Sequence, residues 1–291
     1  MFHRVSRARR RFVANRGAVV GVVLVICLVG VALLAPALSA KDPLISDVEH
    51  GLSELGAPLP PSHDAVLGTD QLGRDVWARV ATGAQTSLSI AALATLIALV
   101  IGVSIGLCAG YAGGGVDNAL MRLVDLVLAF PVLLLAILLA AVFRQAELAS
   151  STAPVFVTLG VVSWTAMARV IRGKTQVLAR SDMVTAARAL GAGPARILVR
   201  HILPNLGGVV IVVAALGFAQ NLLSESALSY VGLGPPPPSP SWGRMLYEGR
   251  VYYRTAPHLV LVPGLAIVLA VIGFNLLGDG VRDAVDARER R

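Results

Sequence analysis

Ionisable side chains inside apolar runs are the first places to look for chemistry in a hydrophobic chain, because each costs free energy unless it has a task or a partner. This sequence of 291 residues has very few, chiefly Asp125 and Glu225. Asp125 follows Arg122 by three residues, a spacing at which helical side chains meet. An Arg122–Asp125 ion pair near the inner membrane surface accounts for it; an ion or proton site is the alternative. Glu225 lies between Ser224 and Ser226 at the outer end of an apolar run. It could face a solute passage, or be an interfacial carboxylate bonded to local hydroxyls. Two isolated acids do not make a proton relay.

Other candidate chemistry is weaker. Arg172-Gly173-Lys174-Thr175 looks like the end of a phosphate-binding loop, but the glycine required five positions before Gly173 is Ala168. The segment also ends an apolar helix, so Arg172 and Lys174 read as inner-surface anchors. His3, His50, His63, His201 and His258 show no metal-ligand spacing, and Cys27 and Cys108 lie far apart in separate apolar runs. These cysteines read as packing residues rather than a disulfide or metal pair. No catalytic site and no metal site are expected.

The elements that carry these residues are membrane spans. Apolar residues make up 56% of the chain and charged residues 14%, where soluble domains carry about 25% charged residues. Runs of about 20 apolar residues cross a bilayer, and six such runs are predicted: 17–38, 85–108, 121–143, 154–173, 206–223 and 258–278. The first exceeds the length of a signal-peptide core, so it is predicted to remain as a helix although Ala37-Leu38-Ser39 resembles a cleavage site. Pro131 should kink the third. The fold class expected is all-α, polytopic, with both termini in the cytoplasm.

Sidedness follows from Lys and Arg. Eighteen fall on one side: six in residues 1–16, then Arg122, Arg169, Arg172, Lys174, Arg180, Arg188, Arg196, Arg200, Arg282, Arg288, Arg290 and Arg291. Seven fall on the other: Lys41, Arg74, Arg79, Arg144, Arg244, Arg250 and Arg254. Residues 1–16 are therefore a basic cytoplasmic segment and 279–291 a cytoplasmic tail. The same placement accounts for the net charge of +8 without nucleic acid as a partner.

Residues 39–84 form an external loop in which Thr69 or Asp70 could cap an interfacial helix running through Arg74, Trp77 and Arg79. In residues 224–256, Pro235 to Pro238 form a polyproline stretch. Trp242, Tyr247, Tyr252 and Tyr253 suit an aromatic belt at the outer interface.

The loop at about 180–205, within a five-helix membrane core predicted over 85–278, is too long and patterned for a tether. Ser181 or Asp182 can cap a short helix with apolar positions at Met183, Val184, Ala187 and Leu190. Ala186 and Ala187 would let another protein approach the backbone. Gly191 and Gly193 permit a turn, Pro194 can start a second helix, and Pro204 marks entry to the fifth span. An amphipathic helix resting on the inner leaflet is the alternative.

Thr185-Ala186-Ala187-Arg188-Ala189-Leu190-Gly191, ending in Ile202-Leu203-Pro204, resembles the EAA signature of bacterial ABC importer permeases. Thr185 stands where glutamate is usual. Leu67-Gly68-Thr69-Asp70-Gln71-Leu72-Gly73-Arg74-Asp75, Met121-Arg122-Leu123-Val124-Asp125 with Phe130-Pro131, Glu225-Ser226-Ala227-Leu228-Ser229-Tyr230, and Asn275-Leu276-Leu277-Gly278-Asp279-Gly280 resemble the C-type permease of dipeptide/oligopeptide importers. The resemblance covers nearly all of the chain from about residue 65.

That resemblance implies an ABC type I importer permease fold in the bacterial cytoplasmic membrane. It implies a second permease subunit, two cytoplasmic ATPases that carry ATP and Mg, an extracytoplasmic solute-binding protein, and lipids around the helices. This chain would hold no cofactor and catalyse no reaction. Thr185, Ala186, Ala187, Arg188, Leu190 and Gly191 would couple to an ATPase, and a bulky residue at Gly191 or Ala187 would uncouple it. Peptides are the implied cargo; nickel complexes, glutathione or sugars are carried by related permeases. An ATP-independent transporter, a channel or a membrane scaffold are the rival classes.

Overall fold

The computed structural model describes residues 14–39, 41–145 and 152–289. Arg4, Arg7, Arg9, Arg10, Arg11, Arg290 and Arg291, on which part of the expected sidedness rests, lie outside the described residues. Among the described residues the regular structure is helical, with two isolated bridges, Leu52–Pro58 and Thr69–Asp75. The helices are α1 (Arg16–Leu38), α2 (Val76–Ala112), α3 (Gly114–Leu128), α4 (Val132–Gln145), α5 (Ala153–Ala179), α6 (Asp182–Ala189), α7 (Pro194–Ile197), α8 (Leu203–Tyr230), α9 (Trp242–Gly249) and α10 (His258–Glu289).

Five helical columns are each long and apolar enough to cross a membrane: α1, α2, α5, the continuous column Pro194–Tyr230, and α10. The sixth crossing expected at 121–143 is not one helix. Those residues form the pair α3 and α4, bent by 83°, which makes a sixth crossing only if the pair acts as one broken span. Pro131 explains the break: it has no N–H to donate and its ring clashes with the carbonyl four residues earlier. Ala129 N–H closes α3 on Asp125 O and Phe130 N–H turns back to Val127 O, and a new helix then starts at Val132.

Several boundaries shift outward from the hydropathy estimate. The second span begins at Val76, and its cap is Asp75, whose side chain accepts the Ala78 N–H at 2.8 Å. Thr69 and Asp70 do not cap a helix. Thr69 Oγ1 donates to Gly51 O and accepts from Leu59 N–H, while Asp70 Oδ1 accepts from Leu72 and Arg74 N–H, so both close the turn before the helix. The last span continues without a break to Glu289, so most of the segment 279–291 prolongs α10 rather than forming a separate tail.

The first and last helices meet at one end of the bundle. Asn15 caps α1 through Ala18 N–H and also donates from Nδ2 to Asp283 Oδ2 at 2.9 Å. That contact puts the start of α1 and the end of α10 on the same side. Ala32 of α1 enters a core with Ala84, Leu88, Leu222, Trp242, Ile267 and Ala270, so the first helix is part of the bundle.

The central seam is α2 against α5. Gly102, Gly106 and Gly110 recur at every fourth residue along α2, and a Cβ added at each would sit 2.7–2.8 Å from the carbonyl oxygens of Trp164, Ala168 and Arg172. Small residues let helix backbones approach where no hydrophobic drive separates lipid from protein. Gly106→Val is expected to force these helices apart, costing about 1–3 kcal/mol or more and about 2 °C or more of unfolding temperature in detergent. Gly173→Ala on the open side of α5, where nothing lies within 4 Å of an added Cβ, should leave that temperature unchanged.

Candidate functional site

The loop at 180–205 folds as α6, a tight turn, and α7. Ser181 occupies the N-cap of α6, but its hydroxyl donates back to Leu178 O and caps no α6 amide. Thr185 Oγ1 donates to Ser181 O at 3.2 Å, which satisfies the hydroxyl that stands in place of a carboxylate. The helix closes with Leu190 N–H on Ala186 O, Gly191 N–H on Arg188 O and Ala192 N–H on Ala187 O. Gly191 has φ +81°, the left-handed conformation that favours glycine at a helix end. Gly193 is in extended backbone at φ −71° and makes no such demand.

α7 is not a free second arm. From Pro194 the chain passes through a π-helical turn, Leu198–Ile202, directly into α8. Leu203 N–H donates to Leu198 O, five residues back, just before Pro204, which has no N–H to continue an ordinary ladder. Pro204 therefore sits in the first turn of α8, inside one continuous column.

The two faces of α6 differ. Val184 and Ala187 point inward and join a cluster with Leu107, Ile171, Ile197, Ile202 and Leu206. Met183, Thr185, Ala186, Arg188 and Leu190 point outward, and Leu190 is 90% exposed. The Arg188 guanidinium lies 5.1 Å from the centre of the Tyr111 ring at the end of α2. This cation–π contact adds a second fastening. The short helix is thus held by α2, α5 and the base of α8. Ala187, expected as part of the outer surface, is 7% exposed and packs on its own chain. A bulky residue there would disrupt this cluster, and one at Gly191 would strain the turn, so the outward residues Ala186 and Leu190 give the cleaner test.

Glu225 is fully buried inside α8. Ser229 Oγ donates to its Oε1 at 2.7 Å, and the hydroxyls of Ser87, Ser226 and Ser241 complete its surroundings. Ser241 also caps α9 by accepting from Arg244 N–H, and Ser87 Oγ accepts from Trp242 N–H. Glu225 therefore pins α2, α8 and α9 together. Within this chain it is enclosed by these hydroxyls and has no exposed surface.

Asp125 does not pair with Arg122. Its Oδ1 accepts from Arg169 Nη2 of α5 at 2.5 Å. Arg172 forms a two-pronged pair with Asp117 at 2.5 and 2.7 Å, and Gln176 Nε2 donates to the same carboxylate at 3.1 Å. Arg172-Gly173-Lys174-Thr175 is ordinary α5 helix, with Arg172 occupied by Asp117.

On the outer side a charge network escaped the sequence reading. Asp70 Oδ2 accepts from Arg74 Nε at 2.7 Å and lies 3.3 Å from Arg79 Nε; Glu248 on α9 accepts from Arg79 Nη2 and Arg244 Nε, each at 2.8 Å. Arg79 is only 1% exposed. Trp242, expected in an interfacial belt, is 1% exposed, and its Nε1–H donates to Val80 O at 3.0 Å. Tyr253, with Arg254 over its ring, does remain exposed. The proline stretch is a series of turns, with a cis Pro237–Pro238 bond.

Comparison with known proteins agrees with this arrangement. Residues 99–291 match the family described as the binding-protein-dependent transport system inner membrane component. Residues 4–61 match the N-terminal transmembrane domain of oligopeptide transport permease C. The dipeptide transport system permease protein of Alkalihalophilus pseudofirmus is 36% identical, covering 94% of this chain and 86% of that protein. The oligopeptide transport system permease protein of Escherichia coli is 38% identical, covering 97% and 91%. The glutathione transport system permease protein of Pectobacterium atrosepticum is 38% identical, covering 96% and 89%. An inward-facing structure of the MetNI methionine ABC transporter superposes with a TM-score of 0.58 at 20% identity, over 72% of this chain and 97% of that one, a likeness in fold. The chain therefore belongs to the multi-pass inner-membrane permeases of binding-protein-dependent ABC importers, in the branch that includes dipeptide, oligopeptide and glutathione permeases.

Proposed function

We propose that this chain forms half of a solute passage for short peptides and is driven by a cytoplasmic ATPase docked on α6. A second permease subunit completes the passage, two ATPase subunits bind ATP and Mg, and an extracytoplasmic binding protein delivers the solute. The chain itself catalyses nothing; it moves between two packings that nucleotide and loaded binding protein favour differently. The observation that carries the reading is α6: a short helix seated on its own core by Val184 and Ala187, with Leu190 and Ala186 turned to the outside. A helix held by three others transmits displacement to them instead of absorbing it. Relatives are named for dipeptides, oligopeptides and glutathione, itself a tripeptide, so the cargo class is a short peptide with charged termini.

The test is reconstitution. The chain, co-expressed with its cognate second permease and ATPases, is placed in proteoliposomes with the binding protein outside and ATP inside. Labelled trialanine should accumulate only with ATP and binding protein together. Uptake by this chain alone, driven by an ion gradient, would overturn the proposal.

A further inference from the structure

The notable surface is the open face of α5 beside the broken span. Arg169, Gly173, Gln176 and Arg180 recur at intervals of four, three and four residues, which places them in one stripe on a helix of 3.6 residues per turn. The Asp125–Arg169 pair in this stripe is about half exposed, with side-chain exposures of 62% and 51%. Below it, Gln176 joins the Asp117–Arg172 pair. At the lower end Gly173, Gln176, Val177 and Arg180 line an open cavity of about 320 Å³.

Depth can be read from the α2–α5 seam. Gly106 of α2 meets Ala168 and Ile171, so Arg169 stands level with Gly106. That point lies two residues, about 3 Å along the axis, inside the end of the second span read from hydropathy (85–108), and α2 itself continues to Ala112. An ion pair facing hydrocarbon just inside the end of a span would still give up hydration that a wet surface supplies. The outer stripe of α2 at Leu93, Leu96 and Val100 is exposed and wholly apolar, as a lipid-facing surface should be. The α5 stripe has the opposite composition. It also begins one turn from the 83° break between α3 and α4, and interrupted spans are tolerated at membrane depth where they line a water-filled cavity or are buried in protein.

We infer that the stripe Arg169–Gly173–Gln176–Arg180, with Asp125, lines the cytoplasmic half of the solute passage, and that the Asp125–Arg169 pair is an exchange contact for zwitterionic solutes. A solute with a free ammonium and a free carboxylate can offer Asp125 the first and Arg169 the second. Each protein charge then keeps a charge-assisted partner throughout. The contact is repaid in kind when the solute leaves, which keeps it weak enough for passage. This inference rests on the permease reading above and assigns its passage to particular residues.

The experiment uses the complete importer in inside-out membrane vesicles, with Cys27→Ser and Cys108→Ser as background. Gly173→Cys adds a side chain where nothing lies within 4 Å, and Val100→Cys is the lipid-facing control. A charged, membrane-impermeant thiosulfonate should label position 173 at least tenfold faster than position 100, while a permeant maleimide labels both. Equal, slow labelling by the charged reagent at both positions overturns the wet stripe, as does labelling of position 173 by the maleimide alone. In the same complexes Asp125→Asn and Arg169→Gln should each lower trialanine uptake at least fivefold, with co-purification of all subunits confirming assembly. They should lower uptake of N-acetylated, C-amidated trialanine less, so that the ratio of trialanine to capped-peptide uptake falls at least threefold. Equal losses for both peptides, or no loss for either, overturn the exchange contact. If the wild-type importer accumulates no trialanine, the peptide reading fails and the exchange contact with it. The labelling ratio then still decides whether the stripe is wet.

Discussion

Leu190→Asp should cut ATP-driven uptake at least tenfold while the chain still inserts and folds. Leu190 is 90% exposed at the end of α6 and touches none of the clusters that hold the helix. Its loss therefore costs the isolated chain little. In a docked complex the same side chain would be covered, and burying a leucine contributes about 1.5–3 kcal/mol. Aspartate forfeits that contribution and adds the larger cost of desolvating a carboxylate without a partner. The two effects act in the same direction, so a tenfold loss, equivalent to about 1.4 kcal/mol, is a conservative expectation. Val184→Asp is the contrasting variant. Val184 is fully buried in the cluster beneath α6, so that change should lower the yield of folded chain as well as uptake. Uptake and ATPase assays on the reconstituted importer, with detergent size-exclusion profiles of the purified chain, separate the two. Wild-type transport by Leu190→Asp would remove α6 as the docking surface.

Glu248→Ala should destabilise the outer end of the bundle by about 3 kcal/mol, the lower end of the range for breaking a buried ion pair, because Glu248 is 16% exposed and Arg79 keeps Asp70. Glu248 receives Arg79 and Arg244 at 2.8 Å each and reaches Arg74 at 3.5 Å. Arg79 cannot turn to water at 1% exposure, and its Nη1 already lacks a hydrogen-bond partner. Without Glu248, Asp70 alone would balance Arg74 and Arg79, and Arg244 would lose its carboxylate partner. Glu248→Gln keeps an acceptor oxygen and should lose less than Glu248→Ala. Arg254→Ala, at an exposed site, should change stability by about 0.5 kcal/mol or less. Thermal unfolding in detergent measures all three. A Glu248→Ala protein as stable as wild type would show that the network is not what fixes α9 to α2.

The network matters because it joins the segment before α2 to α9, and Glu225 joins α9 to α8 and α2 from within the protein core. Two polar nodes thus hold the outer helix against the bundle at different depths. Neither was visible as a node beforehand. Glu225 could be singled out as an acid near an apolar run, but its hydroxyl partners Ser87 and Ser241 come from distant segments. Arg79 and Glu248 are separated by 169 positions, and Asp117 and Arg172 by 55. The only sequence cue was the presence of arginines where aliphatic residues would serve a simple anchor. Asp125 shows the opposite error: the neighbour at i−3 was available, and the structure chose a residue 44 positions away instead. Local spacing offers a partner, but packing decides whether it is used.

Asp125 and Glu225, the first residues to suggest chemistry, mark where the sequence's authority ends. Sequence alone determined that the chain is helical and crosses a membrane repeatedly, because hydropathy sums over neighbours within one segment and needs no knowledge of the others. It placed one helix at each of the apolar runs, with both ends right only for the first, because helices continue past the apolar stretch that hydropathy detects. It located the α6 loop, because a serine N-cap position, small residues, a glycine turn and a following proline act within a dozen positions. Tertiary structure decided the rest. Pro131 announces a break, but the 83° angle depends on what α3 and α4 pack against. Ala187 and Leu190 both look available on paper, yet one faces the core and the other faces out, since that choice belongs to how α6 docks on α2 and α5. The partners of Asp125 and Glu225 were settled in the same way, because contacts between helices depend on their relative rotation and depth, which no single segment encodes.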